Sequence, residues 1–342
     1  MLLIFGPTSD NRGTTIGGTT VLCDQMIQYI TNNKIKDTIY IKTNKFDNKL
    51  FNLASILLSL LIKISRSKVI VVNASDNLML FFCPLAYMCA KILRKKIIIR
   101  TFGANFDTFY NNLSSLNKLL IKKTVLRSDI IFSETNHQIA SFYKKHIPVT
   151  TSIQWFPNCR RDPKMTKSNK MNKELKLMFL GAICQEKGVD DLIELNRRLD
   201  KKIIDFYGYT QDNKYLKNKN FNYKGPLDPK KVLETMSGYD FLVLPTTWHG
   251  EGYPGVIIEA FSIGLPVIAT NFRAIPDLVK DNYNGFLVEQ NNIDNLILII
   301  TALRDERAFY ATMCSQSKIT FKSSYDSDVL HKVFFETIEK LG

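Results

Sequence analysis

The stretch "HGEGYPGVIIEAFSIGLPVIAT", residues 249–270, reads as a glycine-rich loop, a short helix and a buried strand. Pro254 suits the first helical position, and Gly264 with Pro266 supplies the stop. Between them "PGVIIEAFSIG" carries one ionisable residue, Glu259, and is otherwise apolar almost all round, as a buried helix is. A lone carboxylate there is costly unless a protein group or a ligand hydrogen-bonds it.

Outward from this unit the same alternation runs through the chain. Strand candidates are "LLIF", "TIYIKT", "KVIVVNA", "KIIIRTF" and "DIIFSE", followed by "LKLMFLG", "IIDFYG", "DFLVLP" and "PVIAT". Their apolar runs are continuous, so the sheets are buried on both faces, and the helical patterns between them indicate parallel βαβ units. The polar, lysine-rich stretch "WFPNCRRDPKMTKSNKMNKE" separates the two series and reads as a linker. The expectation is an α/β chain of two doubly wound, Rossmann-like domains facing a cleft. They span residues 1–170 and 171–323, and a C-terminal helix, 324–342, packs back toward the first. Ligands in such sheets sit beyond the carboxyl ends of the strands, so the strand-to-helix loops are the places to search.

With 342 residues, 45% hydrophobic and 23% charged, the composition is that of an ordinary globular protein. The six cysteines show no C-x-x-C and no metal-ligand spacing. Together with the absence of a secretory signal pattern they point to reduced thiols in a cytoplasmic protein. The net charge of +14 is uneven: residues 1–170 carry +16 and residues 171–342 carry −2. A basic half suits nucleic acid, an anionic membrane surface or a phosphate-rich acceptor. The longest apolar run, "LMLFFCPLAYMCA" at 78–90, has 13 residues and is too short to span a bilayer. It reads as a core helix, while the following "KILRKK" leaves an interfacial role open.

Three loops carry the chemistry. After the first strand, Gly17 and Gly18 in "TTIGGTTVLCDQ" open a helix whose free N–H groups favour an anion, or they simply make a tight turn. The pattern is neither G-x-G-x-x-G nor G-x-x-x-x-G-K-[ST], which disfavours a Rossmann cofactor and a P-loop. In "LGAICQEKG" Lys187 and Gly188 stand at a helix start, where a cation and free N–H groups can hold a diphosphate; a solvated lysine is the alternative. In the opening stretch, the residue four before Glu259 is Gly255, which has no side chain. A ligand held by the N–H groups of Gly255 and Val256 therefore reaches Glu259 without a clash. Ribose hydroxyls would satisfy that carboxylate, the diphosphate would sit on the helix N-terminus, and Glu251 would face the group beyond it. The D-x-D of "SYDSD", Asp326 and Asp328, immediately precedes a helical pattern and reads as a cap rather than a metal site.

Glu251 and Glu259 resemble the E-x7-E motif of retaining glycosyltransferases of the GT-B fold, specifically the large family 4. "EGYPGVIIEAFSIGLPVIAT", "VKDNYNGFLV" and "LGAICQEKGVDDLIEL" are similar to that family's donor site, and "IGGTTV" and "RTFGANFD" more loosely to its acceptor domain. The resemblance implies that Glu259 holds the ribose and that Lys187 with the N–H groups of Gly255 and Val256 neutralises the diphosphate. It further implies that Glu251 contacts the donor sugar, that the Gly17–Gly18 loop closes over the phosphates, and that the base stacks at "GPLDP", beginning with Gly225. His249 is either a sugar contact or a loop residue. Two positions depart from the family pattern. Ala182 stands where an arginine usually partners the lysine, with Arg273 or Arg100 as compensating cations, and Phe102 stands where many members have a histidine.

The expected function is retaining, metal-independent transfer from a nucleotide-diphosphate sugar, UDP-linked, to a lipid-diphosphate-linked saccharide in bacterial O-antigen or capsule synthesis. The nucleotide-sugar is a substrate, so no cofactor and no metal is expected, and the enzyme would work peripherally at the inner face of the cytoplasmic membrane. The alternatives are a GT-B-fold nucleotide-sugar epimerase and a basic nucleic-acid-binding protein; the second lacks interleaved aromatic and basic motifs, and no nucleic-acid partner is expected.

Overall fold

The computed structural model describes residues 1–9, 18–45, 48–210, 212–303 and 307–341. The chain divides into two compact units, Met1–Arg161 with Ser327–Gly342, and Asp162–Asp326.

The first unit is built on six parallel strands: β1 (Leu2–Gly6), β2 (Thr38–Lys42), β3 (Val69–Ala74), β4 (Lys96–Thr101), β5 (Ile130–Ser133) and β6 (Ser152–Trp155). Their order is β2-β1-β3-β4-β5-β6. Every residue of β3, "VIVVNA", is buried, because alternate side chains enter separate cores on the two faces. One core is covered by helices α2 (Lys49–Lys63), α3 (Asp76–Leu80), α4 (Phe82–Ile92) and α5 (Ser115–Lys123), through residues such as Leu60, Phe82, Ala86 and Ile121. The other is covered by α1 (Gly18–Asn32) and the C-terminal helix Ser327–Glu339, through Met26, Phe334 and Ile338. The apolar run at 78–90 therefore divides between α3 and α4, with Phe82, Cys83 and Ala86 in the core. No described helix is long and apolar enough to cross a membrane.

The second unit repeats the plan with β7 (Leu177–Leu180), β8 (Ile204–Tyr207), β9 (Asn222–Gly225), β10 (Phe241–Leu244), β11 (Val267–Thr270) and β12 (Gly285–Val288), all parallel, in the order β12-β11-β10-β7-β8-β9. Helix α6 (Val189–Arg198) follows β7, and α7 (Gly255–Ser262) follows β10. Asp240, wholly buried, accepts hydrogen bonds from the Asn172 and Lys176 N–H groups (2.9 and 2.8 Å) and from Asn172 Nδ2 (3.0 Å), which fixes the entry to β7 beside β10.

Strands β6, β9 and β12 are absent from the expected series. All three are four-residue edge strands: β6 "SIQW" and β9 "NYKG" carry too few apolar residues to stand out, and β12 "GFLV" is a run of only three apolar residues after a glycine, whereas the fourth edge, β2, shows in "TIYIKT".

Candidate functional site

In the second unit β7 is the first strand in sequence, with β8 on one side and β10 on the other. The chain winds outward in opposite directions from this point, which makes the loops after β7 and β10 the place to look for a ligand site. Those two loops carry Lys187 and Glu251.

After β7 the chain makes a single 3-10 turn, Gln185–Lys187, and passes through Gly188 into α6. Gly188 has φ +76°, and a Cβ there would lie 2.3 Å from the Pro245 carbonyl oxygen. Only glycine allows this close approach of the two loops. The approach is held by Thr247 N–H, which donates to the Glu186 carbonyl (2.8 Å), with Thr246 Oγ1 3.1 Å from the same carbonyl oxygen. Thr270 Oγ1, at the end of β11, donates to the Thr246 carbonyl at 2.5 Å and braces the loop from the other side. Burial holds the Cys184 thiol, at the start of the turn, above its ordinary pKa, so it stays neutral.

Lys187 Nζ donates to Glu251 Oε2 in a short ion pair, and Thr246 Oγ1 donates to the same oxygen at 3.1 Å. The pair is mostly removed from water, with the lysine side chain 18% and the glutamate side chain 8% exposed. The indole of Trp248 covers the ammonium at 4.4 Å from the ring centroid, a cation–π contact in a partly desolvated site. Glu251 N–H donates to the Trp248 carbonyl (3.0 Å), and Tyr253 Oη donates to Asp277 (2.9 Å), so the glycine-rich loop is pinned on both sides of the carboxylate.

Helix α7 begins at Gly255, with Pro254 as its N-cap rather than its first helical residue. No side chain caps it, and the N–H groups of Gly255 and Val256 have no acceptor within the helix. Ile257, Ile258, Ala260 and Phe261 are fully buried. Glu259 is half-buried, which corrects the reading of a carboxylate inside an apolar core: it lies on the one side of α7 that is partly open, the side shared with Gly255 and Val256.

The remaining expected residues scatter more widely. Gly225 ends β9 with φ +85°, and its carbonyl accepts from Gly208 N–H at 3.1 Å. Gly208, which the sequence reading passed over, is the tightest point of this rim: a Cβ would lie 1.7 Å from the Gly181 carbonyl oxygen. His249 is exposed, its ring nearly perpendicular to that of Phe272 with the centroids 5.3 Å apart. Gly18 is the exposed first residue of α1 in the first unit, and Gly17 lies outside the described residues. Ala182 is exposed. Of the two compensating cations, Arg100 is enclosed in the first unit between Phe156 and Phe102, at 4.1 and 4.7 Å, and burial lowers its pKa; Arg273 follows β11 in the second unit with φ +49°. Thr246 and Trp248 were also missed, because an apolar strand ending in "PTTW" gives no motif until the fold sets it against Lys187. Among the described residues no group of three or more His, Cys, Asp or Glu is arranged to hold a metal. A cavity of about 960 Å³ lies at the opposite, amino ends of β7 and β8 among Lys173, Lys176, Lys201 and Lys202. It is a surface trough with exposed lysines, and the loops at the switch point hold the candidate chemistry instead.

Residues 160–318 match the family model of glycosyl transferases group 1, and this stretch of the chain is such a domain. An uncharacterized glycosyltransferase of Methanocaldococcus jannaschii is 26% identical over 239 residues, covering 62% of this chain and 60% of that protein. The UDP-Gal:alpha-D-GlcNAc-diphosphoundecaprenol alpha-1,3-galactosyltransferase of Escherichia coli is 33% identical over 106 residues, 28% of this chain and 27% of that protein. The chain thus matches at most three-fifths of the length of these relatives. Among solved structures, Anabaena HepE in complex with UDP superposes with a TM-score of 0.75 at 14% identity over 99% of both chains. Both units carry the Rossmann-like architecture of the GT-B glycosyltransferase fold.

Proposed function

We propose that this chain is a retaining, metal-independent glycosyltransferase of surface polysaccharide synthesis. It takes a sugar from a UDP-linked donor and passes it to a lipid-diphosphate-linked saccharide at the inner face of the cytoplasmic membrane. The observation that carries the reading is the convergence of Lys187, Glu251 and the first turn of α7 on the switch point of a group 1 domain. UDP in the HepE structure and the diphosphoundecaprenol in the E. coli relative's name support the donor and acceptor classes.

The donor diphosphate sits on the N–H groups of Gly255 and Val256, with Lys187 as its cation. Glu259, one turn further on the same side, accepts from the ribose hydroxyls. A diphosphate carries more charge than one carboxylate and so competes with Glu251 for the ammonium. Released from Lys187, Glu251 turns to the donor sugar, and exposed His249 adds a contact from the same loop. As the bond from the sugar's anomeric carbon to the phosphate breaks, the acceptor hydroxyl oxygen bonds to that carbon and its proton passes to the departing phosphate, whose growing charge Lys187 and the helix N-terminus offset. Gly225 marks the rim where the base stacks.

Thermal shift with a panel of nucleotides, followed by transfer to a lipid-linked acceptor, tests the reading. Stabilisation by UDP and product of retained anomeric configuration, formed equally in excess EDTA and in Asp326→Ala/Asp328→Ala, is the expected result. Conversion of the nucleotide-sugar without any acceptor identifies an epimerase instead, and activity that returns only with added manganese or magnesium overturns metal independence.

A further inference from the structure

Helix α2, "KLFNLASILLSLLIK", has no charged residue between Lys49 and Lys63, yet it is a surface helix. Its inner side puts Ile56 and Leu60 into the core, with Leu53 and Leu57 partly buried beside them. Its outer side carries Leu50, Phe51, Leu58, Leu61 and Ile62, each between 60% and 77% exposed. Positions 51, 54, 58 and 61–62 recur at helical spacing, so the exposed residues form one apolar stripe. The neighbouring α3–α4 segment repeats the arrangement with Phe81, Leu85, Met88 and Ile92, and it packs beside α2 on the same face of the sheet. Helix α5, also on this face, presents Leu116 and Leu119. A contiguous apolar surface of this kind is a mark of an interaction site.

Charge identifies what covers it. Residues 49–100 hold nine lysines and arginines against a single acidic residue, Asp76. The "KILRKK" cluster is partly occupied, since Lys91 and Lys96 pair with Asp129 and Lys95 Nζ donates to the Ser65 carbonyl. Arg66, Arg94, Lys122 and Lys123 remain exposed around the stripes. A second copy of this chain would bring an equally basic face against it, and like charges oppose that pairing. An anionic lipid surface matches both the charge and the apolarity, and a helix that lies in the interface needs no spanning length.

We propose that the outward faces of α2 and α3–α4 are a membrane-docking surface, with the exposed Leu, Ile, Phe and Met side chains seated at the headgroup boundary of an anionic leaflet and both helices in its plane. The proposal deepens, and takes its biological reason from, the reading of a lipid-linked acceptor. It extends the peripheral attachment expected from "KILRKK" to a different and mainly apolar set of residues.

Co-sedimentation of the full chain with phosphatidylcholine vesicles, with and without phosphatidylglycerol, tests it apart from any transfer activity. Binding to the anionic vesicles that weakens with salt is expected. Leu58→Gln/Leu61→Gln/Ile62→Gln, all solvent-facing, lowers the partition coefficient about 100-fold, while Arg66→Gln/Arg94→Gln lowers it about 30-fold at low salt only. UDP affinity and thermal unfolding measured on both variants should match the parent, which excludes misfolding. Equal binding by the triple variant, or no binding by the parent at low salt, overturns the proposal. So does a parent dimer at micromolar concentration that the triple variant dissolves, because the face is then a contact between copies. Vesicle binding without sugar transfer would leave the surface standing and remove the functional reading alone.

Discussion

Replacing Lys187 by methionine and Glu251 by glutamine, singly and together, separates what the pair does for the fold from what it does for the donor. Both side chains are more than four-fifths buried, and Glu251 Oε2 has two donors, Lys187 Nζ and Thr246 Oγ1. In Lys187→Met the carboxylate keeps only the threonine and is left as a largely desolvated charge. Breaking a fully buried pair costs about 3–5 kcal/mol. The 18% exposure of Lys187 admits some water, so we expect about 2–3 kcal/mol here. For a unit of this size that lowers the midpoint of thermal unfolding by about 4–12 °C. In Glu251→Gln the ammonium is left with Trp248 and partial hydration, a loss of about 1–2 kcal/mol. The double variant has no buried charge, and its stability returns to within about 1 kcal/mol of the parent. Titration calorimetry with UDP then reads the other role. Lys187→Met and the double variant both lose a charge-assisted contact to the diphosphate, about 10- to 100-fold in affinity, whereas Glu251→Gln binds UDP at least as well as the parent because the competing carboxylate is gone. A double variant as unstable as Lys187→Met refutes the energetic argument. Unchanged UDP affinity in the double variant refutes the assignment of Lys187 to the diphosphate.

Glu259→Ala should weaken UDP binding by about 1.5–3 kcal/mol and leave the unfolding midpoint nearly unchanged, since alanine suits a helix interior; normal binding in calorimetry would remove the ribose role. Gly188→Ala forces a side chain into left-handed backbone and against the Pro245 carbonyl, and should cost about 2–4 kcal/mol in chemical denaturation, with the loops after β7 and β10 pushed apart. His331 is buried beside Arg100, and burial first, then that positive charge, lowers its pKa to about 3. The unfolded chain therefore binds a proton between about pH 6.5 and 3 that the native state refuses, so stability is full above pH 6.5 and falls progressively toward pH 3. His331→Phe should flatten that part of the pH–stability profile measured by urea unfolding.

The division into two parallel-sheet units was legible because the central strands are buried on both faces. "VIVVNA" and "FLVL" have apolar side chains at successive positions, and that pattern has few other meanings. Lys187, Gly188, Glu251 and Glu259 stood out as candidates in the sequence too, since each stands at a strand-to-helix loop or in the helix that follows one, where glycine, proline and charge interrupt an otherwise apolar text. Strands β6, β9 and β12 were not: each is four residues at a sheet edge, with at most three apolar residues in a row, whereas the edge strand β2 showed through its alternating "TIYIK".

What sequence could not decide were properties that arise between segments remote in the chain. Lys187 and Glu251 are 64 residues apart, and their pairing exists only because β7 and β10 are neighbours. Trp248 over the lysine, Thr246 on the carboxylate and the contact of Gly188 with Pro245 follow from the same adjacency. Periodicity along one helix showed α2 to be apolar, but not which side the sheet would leave uncovered. Local pattern records the average environment of a residue, buried or exposed, and so determines elements and their order. Which charge meets which, and which apolar face stays outside, depends on strand order and on helices packing side by side, and tertiary structure alone supplies those.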